Sequence, residues 1–211
     1  MKIFTLEGLP LVGKSTIGMD LCAHFNSIGI KSIYRHGQIT NNEAANRCIK
    51  KAFECLDKWD YSNHEGLYDF IKYRYEQIYI DFVEFQDTYE QFIDVEYLFL
   101  DRYIDGHDVT ASIFGYTPPN FSEMINFSEF LTIEFLLICG YKERKRRAQI
   151  RKKTNNLTKY SVINSDIHSL MQDSYIYFSQ NNDKGKIVLS DSSLDLKKCI
   201  IGEINERLLL R

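Results

Sequence analysis

Near the amino terminus, Gly8, Leu9, Pro10, Leu11, Val12, Gly13, Lys14 and Ser15 set two glycines, a lysine and a hydroxyl in an order suited to holding phosphate. Glycine tolerates the backbone angles that turn successive N–H groups inward, and a helix opening at Lys14 would add its positive end, so the segment makes an anion cradle. Lys14 would then reach the β- and γ-phosphates of a nucleotide, Ser15 would ligate the magnesium that bridges them, and Thr16 would bond toward the α-phosphate. The string is short enough to arise by chance as a glycine-rich turn. Its flanks argue otherwise: residues 2–6 are β-prone and apolar, and 15–28 carry apolar residues at helical spacing.

Three further groups could do chemistry. Asp101 and Arg102 close an apolar run, where a parallel sheet presents residues to a ligand crevice; a carboxylate there can hold magnesium through water or take a proton, and a guanidinium can grip a second phosphate. The bland alternative is an ion pair at a strand end. Phe70 and Arg74 are four residues apart on a helical stretch, so one face could offer a stacking plane and an anion clamp. Aromatics at that spacing more often fill a core, but an arginine among apolar neighbours needs a partner. The basic stretch 142–153 sets Arg144, Arg147 and Arg151 at three- and four-residue intervals, as in a lid that brings arginines to transferring phosphate.

The elements that must position these residues follow from periodicity. β-prone runs are read at residues 2–6, 31–35, 95–100, 132–139 and 186–189. Helical patterns fill the intervals: 15–28, two helices within 41–92 parting near 61–66, one from about 103 to 114, the basic stretch, 165–179 and 194–210. Pro118 and Pro119 mark a loop. Strands alternating with helices give an α/β fold with a parallel sheet covered on both faces. The 211 residues, 44% of them hydrophobic, suit one domain spanning 1–211. A net charge of −3 gives no global field toward nucleic acid, which makes a nucleic-acid partner for the basic stretch the weaker reading. Five cysteines without a Cys-x-x-Cys pair suggest reduced thiols, and no leader or membrane-spanning segment is read, so a cytoplasmic, non-membrane protein is expected.

With these pieces in order, the chain resembles the thymidylate kinase family of nucleoside monophosphate kinases. The segment from Glu7-Gly8 to Lys14-Ser15-Thr16 is similar to that family's phosphate loop. Arg35 stands where the family has an Arg-Glu-Pro-Gly segment, Phe70 and Arg74 keep its Phe-x-x-x-Arg spacing, and Asp101-Arg102-Tyr103 matches its Asp-Arg-Tyr motif. The resemblance implies a P-loop NTPase fold with a five-stranded parallel sheet and a helical lid at about 142–160. It implies ATP and Mg2+ as cofactors, held by Gly8, Gly13, Lys14, Ser15, Thr16, Arg144 and Arg151, with Ser15 and Asp101 on the metal. It places Lys14, Asp101, Arg102 and Arg147 at the reacting phosphate, and Arg35, Phe70, Arg74 and Arg102 on the acceptor, Phe70 stacking on its base.

Two regions depart from the family. Pro10 and Leu11 stand where it usually has aspartate and then glycine, and His107, Asp108 and Ile113 occupy the region that usually reads the thymine edge. Thymidylate is therefore not secured as the acceptor. The expected function is ATP-dependent phosphoryl transfer to a small molecule: a nucleoside monophosphate first, a nucleoside or another hydroxyl compound second, with a non-catalytic nucleotide binder as a third reading. The aromatic stretch 68–92 is either core or the face of a homodimer.

Overall fold

The computed structural model describes residues 1–62, 64–117, 127–181, 183–189 and 193–209. Five strands form one sheet: β1 (Lys2–Glu7), β2 (Ser32–His36), β3 (Tyr97–Asp101), β4 (Leu131–Ile138) and β5 (Gly185–Leu189). Their order is β2-β3-β1-β4-β5 and every pairing is parallel. The helices are α1 (Lys14–Ser27), α2 (Glu43–Lys58), α3 (Glu65–Asp87), α4 (Ile104–Ile113), α5 (Tyr141–Ile150), α6 (Asn156–Tyr160), α7 (Ser165–Gln180) and α8 (Ser193–Leu209). The expected α/β class and five parallel strands are present. The loop expected at Pro118 and Pro119 lies outside the described residues, as does Leu210. The expected long helix to residue 92 ends at Asp87, followed by a single 3-10 turn at Tyr89–Phe92.

β1 is central because its side chains are needed on both faces. Phe4 and Leu6 point into one cluster, where Phe4 stacks on Phe99 and Phe99 stacks on Phe25 of α1. Ile3 points into the other, with Phe82 and Phe85 of α3. Burial on both faces is what a near-continuous apolar strand requires. Chain order reverses around β1: β3 and β4 flank it, so a crevice opens at the carboxyl ends of β1 and β3, the usual ligand position in such sheets. Both the glycine-rich loop after β1 and Asp101 lie there.

The aromatic stripe of α3 is core. Ile71, Tyr75, Ile78, Phe82 and Phe85 are all buried within the chain itself. Asp81, on the same face and fully buried, ties α3 to the chain after β2. Its carboxylate accepts from the N–H groups of Ile39 (2.6 Å) and Thr40 (2.7 Å), from Thr40 Oγ1 (2.7 Å) and from Tyr103 Oη (3.1 Å). A buried carboxylate is tolerated only when so satisfied, although burial still raises its pKa. All five cysteines are free, and among the described residues no helix is long and apolar enough to cross a membrane.

Asp81→Ala orphans two backbone amides and two hydroxyls. It is expected to cost about 3 kcal/mol in urea unfolding, while the exposed Asp94→Ala stays within about 0.5 kcal/mol.

Candidate functional site

The loop after β1 is shaped before any ligand enters. Gly8 has φ +125°, and a Cβ there would collide with the carbonyl oxygen of Leu137 on β4, so the close approach of loop to strand admits only glycine. Gly13, at φ +106°, starts α1 without a capping side chain, and the first turn of α1 holds no acidic residue. Its first-turn N–H groups therefore face the loop uncapped, the arrangement that suits an anion. Leu11, where the resembling family has glycine, still takes a left-handed φ of +70°. A leucine in that conformation costs roughly 1–2 kcal/mol, so surrounding contacts must impose it.

Lys14 curls back into the loop and donates to the carbonyls of Gly8 (2.6 Å) and Leu9 (2.8 Å). Burial pushes its pKa down to about 7, and Arg102 adds to the shift. An arriving phosphate would supply the negative charge this ammonium lacks.

Asp101 joins β3 to the loop. Its Oδ2 accepts from Ser15 Oγ (2.5 Å), His36 Nδ1 (3.0 Å) and Tyr34 Oη (3.1 Å), while Oδ1 is buried without a hydrogen-bond partner among the described residues. Burial alone would raise its pKa, but the His36 bond and the charges of Lys14 and Arg102 hold it well below the usual carboxylate range. A hydroxyl, an ionised carboxylate and an orphan oxygen form a hard donor set that fits magnesium.

Arg102 follows in a left-handed backbone, φ +60°. That conformation is held from both sides: its own N–H donates to Leu6 O (3.2 Å), and the N–H of Tyr103 donates to Glu7 Oε1 (2.8 Å). The Asp-Arg-Tyr triplet is thus fastened to β1 by Leu6 and Glu7 and to α3 by Asp81. Strain kept in place by this many contacts is characteristic of a site whose side chain must point one way.

These elements border a cavity of about 610 Å³, within the range of small-molecule sites. Lys14, Ser15, Thr16, Asp101 and Arg102 line it, as do Arg147, which lies against the loop at Leu11 and Gly13, and Arg151. The three lid arginines have separate fates, because α5 ends at Ile150 and Arg151 continues in extended backbone. Arg151 is exposed at the cavity rim. Arg147 donates to Glu143 (2.8 Å) and to the carbonyl of Leu11 (3.0 Å). Arg144 corrects the expectation of a nucleotide ligand: it is 0% exposed and lies beneath the loop, donating to Pro10 O (2.9 Å), Ser161 O (3.1 Å), Ser161 Oγ (2.7 Å) and His168 Nδ1 (2.6 Å). The lid expected over 142–160 is likewise split. α5 is docked on the loop through these arginines, and residues 151–155 with α6 form the cavity's far wall.

The acceptor-side residues also part company. Arg35 is exposed and bonds carbonyls of its own neighbourhood, Ile39 O (3.3 Å) and Tyr34 O (3.4 Å), away from the cavity. Arg74 is buried; its Nε and Nη2 donate to His107 Nε2 (3.3 and 3.2 Å), and Nη2 also donates to Gly37 O (3.4 Å). Burial, with Arg102 adding, lowers Arg74 to about 10; burial, then the charges of Arg74 and Arg102, hold His107 well below the usual histidine value, so the arginine's contact is a neutral imidazole. Phe70 is only 5% exposed. It faces a separate space of about 30 Å³, shared with Arg102 and His107, room for about one water.

The sequence reading missed the partners of Asp101, Tyr34 and His36, and a buried acidic group behind the loop. Glu7 on β1 and Glu134 on β4 are both buried on the sheet face covered by α4. Burial raises Glu7 to about 8; Glu134 is raised to about 11 by burial and by its hydrogen bond with Asp105. Gly106 of α4 packs directly on Glu7, so a Cβ there would force the Glu7 carboxyl group to move. A glutamate inside a mostly apolar strand was the available signal for Glu134.

No family model matches the chain, and no curated protein matches it significantly.

Two outcomes follow. Arg144→Ala leaves Pro10 O and Ser161 O unpaired in the interior and is expected to cost about 3 kcal/mol in denaturant unfolding, while Arg151→Ala leaves stability unchanged. Glu7 and Glu134 hold protons in the folded state that the unfolded chain releases above about 4.5, so their contribution to stability falls as pH rises from 5 to 8. Glu134→Gln should make the decline of Tm over that range shallower; an unchanged slope would contradict the assignment.

Proposed function

We propose that the chain is an ATP-dependent phosphotransferase that moves a γ-phosphoryl group to a small acceptor held in the 610 Å³ cavity. The observation that carries the reading is the contact of Ser15 Oγ with Asp101 at 2.5 Å, which sets a hydroxyl and an ionised carboxylate side by side at the mouth of an uncapped helix. Phosphoryl transfer asks a protein mainly for positioning and charge compensation, and the residues around that pair are of those kinds. Lys14 and the loop amides would hold the β- and γ-phosphates. Arg102 and Arg147, which both line the cavity, would offset charge spreading over the equatorial oxygens. Magnesium, which supplies Lewis-acid neutralisation between the phosphates, would be held by Ser15 and, directly or through water, by Asp101.

The resemblance to the thymidylate kinases favours a nucleoside monophosphate as acceptor. A nucleoside or other hydroxyl-bearing compound is the second reading. One observation favours it: Arg35 and Arg74, two of the three acceptor-side arginines, do not line the cavity. Five free thiols suit a reducing cytoplasm.

The test is a product screen with ATP and magnesium against nucleoside monophosphates, nucleosides and small hydroxylated metabolites. Transfer to one class is expected, with kcat falling roughly 10²–10³-fold in Lys14→Ala and in Asp101→Asn. ATP binding without transfer to any acceptor would contradict the proposal.

A further inference from the structure

The acceptor side holds two aromatic rings, and their surroundings differ. Phe70 is walled in: the space before it is about 30 Å³, bounded by Leu9, Pro10, Leu157, Met171 and Tyr175. A planar base cannot enter a space the size of about one water. Pro10 itself belongs to that wall, so the residue that replaces the resembling family's aspartate also narrows the pocket there. Arg74, one turn along α3, has its donors turned to His107 and Gly37.

Phe53 is placed otherwise. On α2, Ala52 and Leu56 are fully buried in the core, which sets the helix rotation and leaves Phe53 at the edge of the buried stripe, 39% exposed. That exposure leaves ring surface open on the cavity side, where a ligand could reach it. It lines the 610 Å³ cavity together with His36, Asp101 and Arg102. Its ring centroid is 6.1 Å from that of Phe70 at an interplanar angle of 55°, so Phe70 backs it from the interior and restricts its tilt.

We propose that Phe53 is the stacking platform for the acceptor: a planar, base-bearing molecule lies on its ring in the main cavity with its phosphate or hydroxyl end toward Arg102 and His36. Phe70 then supports the platform rather than touching the ligand. The inference rests on the phosphotransferase reading and specifies where its acceptor sits.

Two measurements test it. Irradiation of the full chain with 5-iodo-2′-deoxyuridine 5′-monophosphate, followed by tryptic mapping, should label residues 52–58, which contain Phe53; label confined to residues 59–72, which contain Phe70, or label in neither peptide overturns the proposal. In the transfer assay, Phe53→Ala should raise the acceptor KM about tenfold, as loss of one base–aromatic stack does, with the KM for ATP and kcat nearly unchanged, and Phe53→Tyr should restore it. Since the side chain is partly exposed, a Tm close to that of the parent is expected for Phe53→Ala. Transfer by the parent chain with no change in acceptor KM on Phe53→Ala would overturn the Phe53 assignment and leave the phosphotransferase standing. Absence of transfer to any acceptor would remove both.

Discussion

The Ser15–Asp101 hydrogen bond can exist only if the strand before the glycine-rich loop and the strand ending in Asp101 are neighbours in register, with Leu6 opposite Asp101. Much of the molecule serves that adjacency. β1 sits mid-sheet because side chains on both of its faces are buried, β3 lies beside it, and α1 must leave the loop directly so that Ser15, in its first turn, faces the carboxylate. Asp101 is fully buried, and a buried ionised carboxylate is costly unless its oxygens are met. Ser15, Tyr34 and His36 meet one oxygen, and the positive charge of Lys14 and Arg102 offsets the rest. The orphaned second oxygen is the part of the network that a metal would complete.

The loop itself departs from the pattern it resembles, and the fold compensates nearby. Pro10 has no N–H to offer, and Leu11 holds a glycine-like backbone angle that leucine disfavours. The carbonyls of these two residues are the ones that α5 grips, through Arg144 and Arg147. The basic helix therefore does two jobs: one arginine anchors the loop from below, while the next ones along line the cavity. Arg102 shows the same economy, its strained backbone fixed by Leu6 and by Glu7, the residue just before the loop.

Much of this was legible in the sequence, and what was not has physical reasons. Five strands and their helices could be read because apolar runs and helical spacing are local signals, and the loop could be read because its glycines answer a local steric demand. Residue roles that depend on distant packing could not. Arg144 and Arg147 share a helical face, but periodicity does not tell which of them lies under the loop and which beside the cavity. Phe70 and Arg74 have the spacing of a binding pair, yet Tyr175, Met171 and Leu157, a hundred residues downstream, close the space before Phe70, and His107 takes the donors of Arg74. Phe53 carried no motif at all; its exposure became meaningful once the cavity was placed.

The central claim is that Ser15 and Asp101 form a magnesium-dependent phosphate site, and titration calorimetry of ATP with and without magnesium tests it most directly. The account predicts that magnesium tightens ATP binding by about tenfold or more in the parent chain, a coupling in the usual range of about 1–3 kcal/mol, and that Asp101→Asn abolishes most of that gain while leaving metal-free binding nearly intact. Equal affinity with and without magnesium, or no ATP binding in either condition, would contradict it.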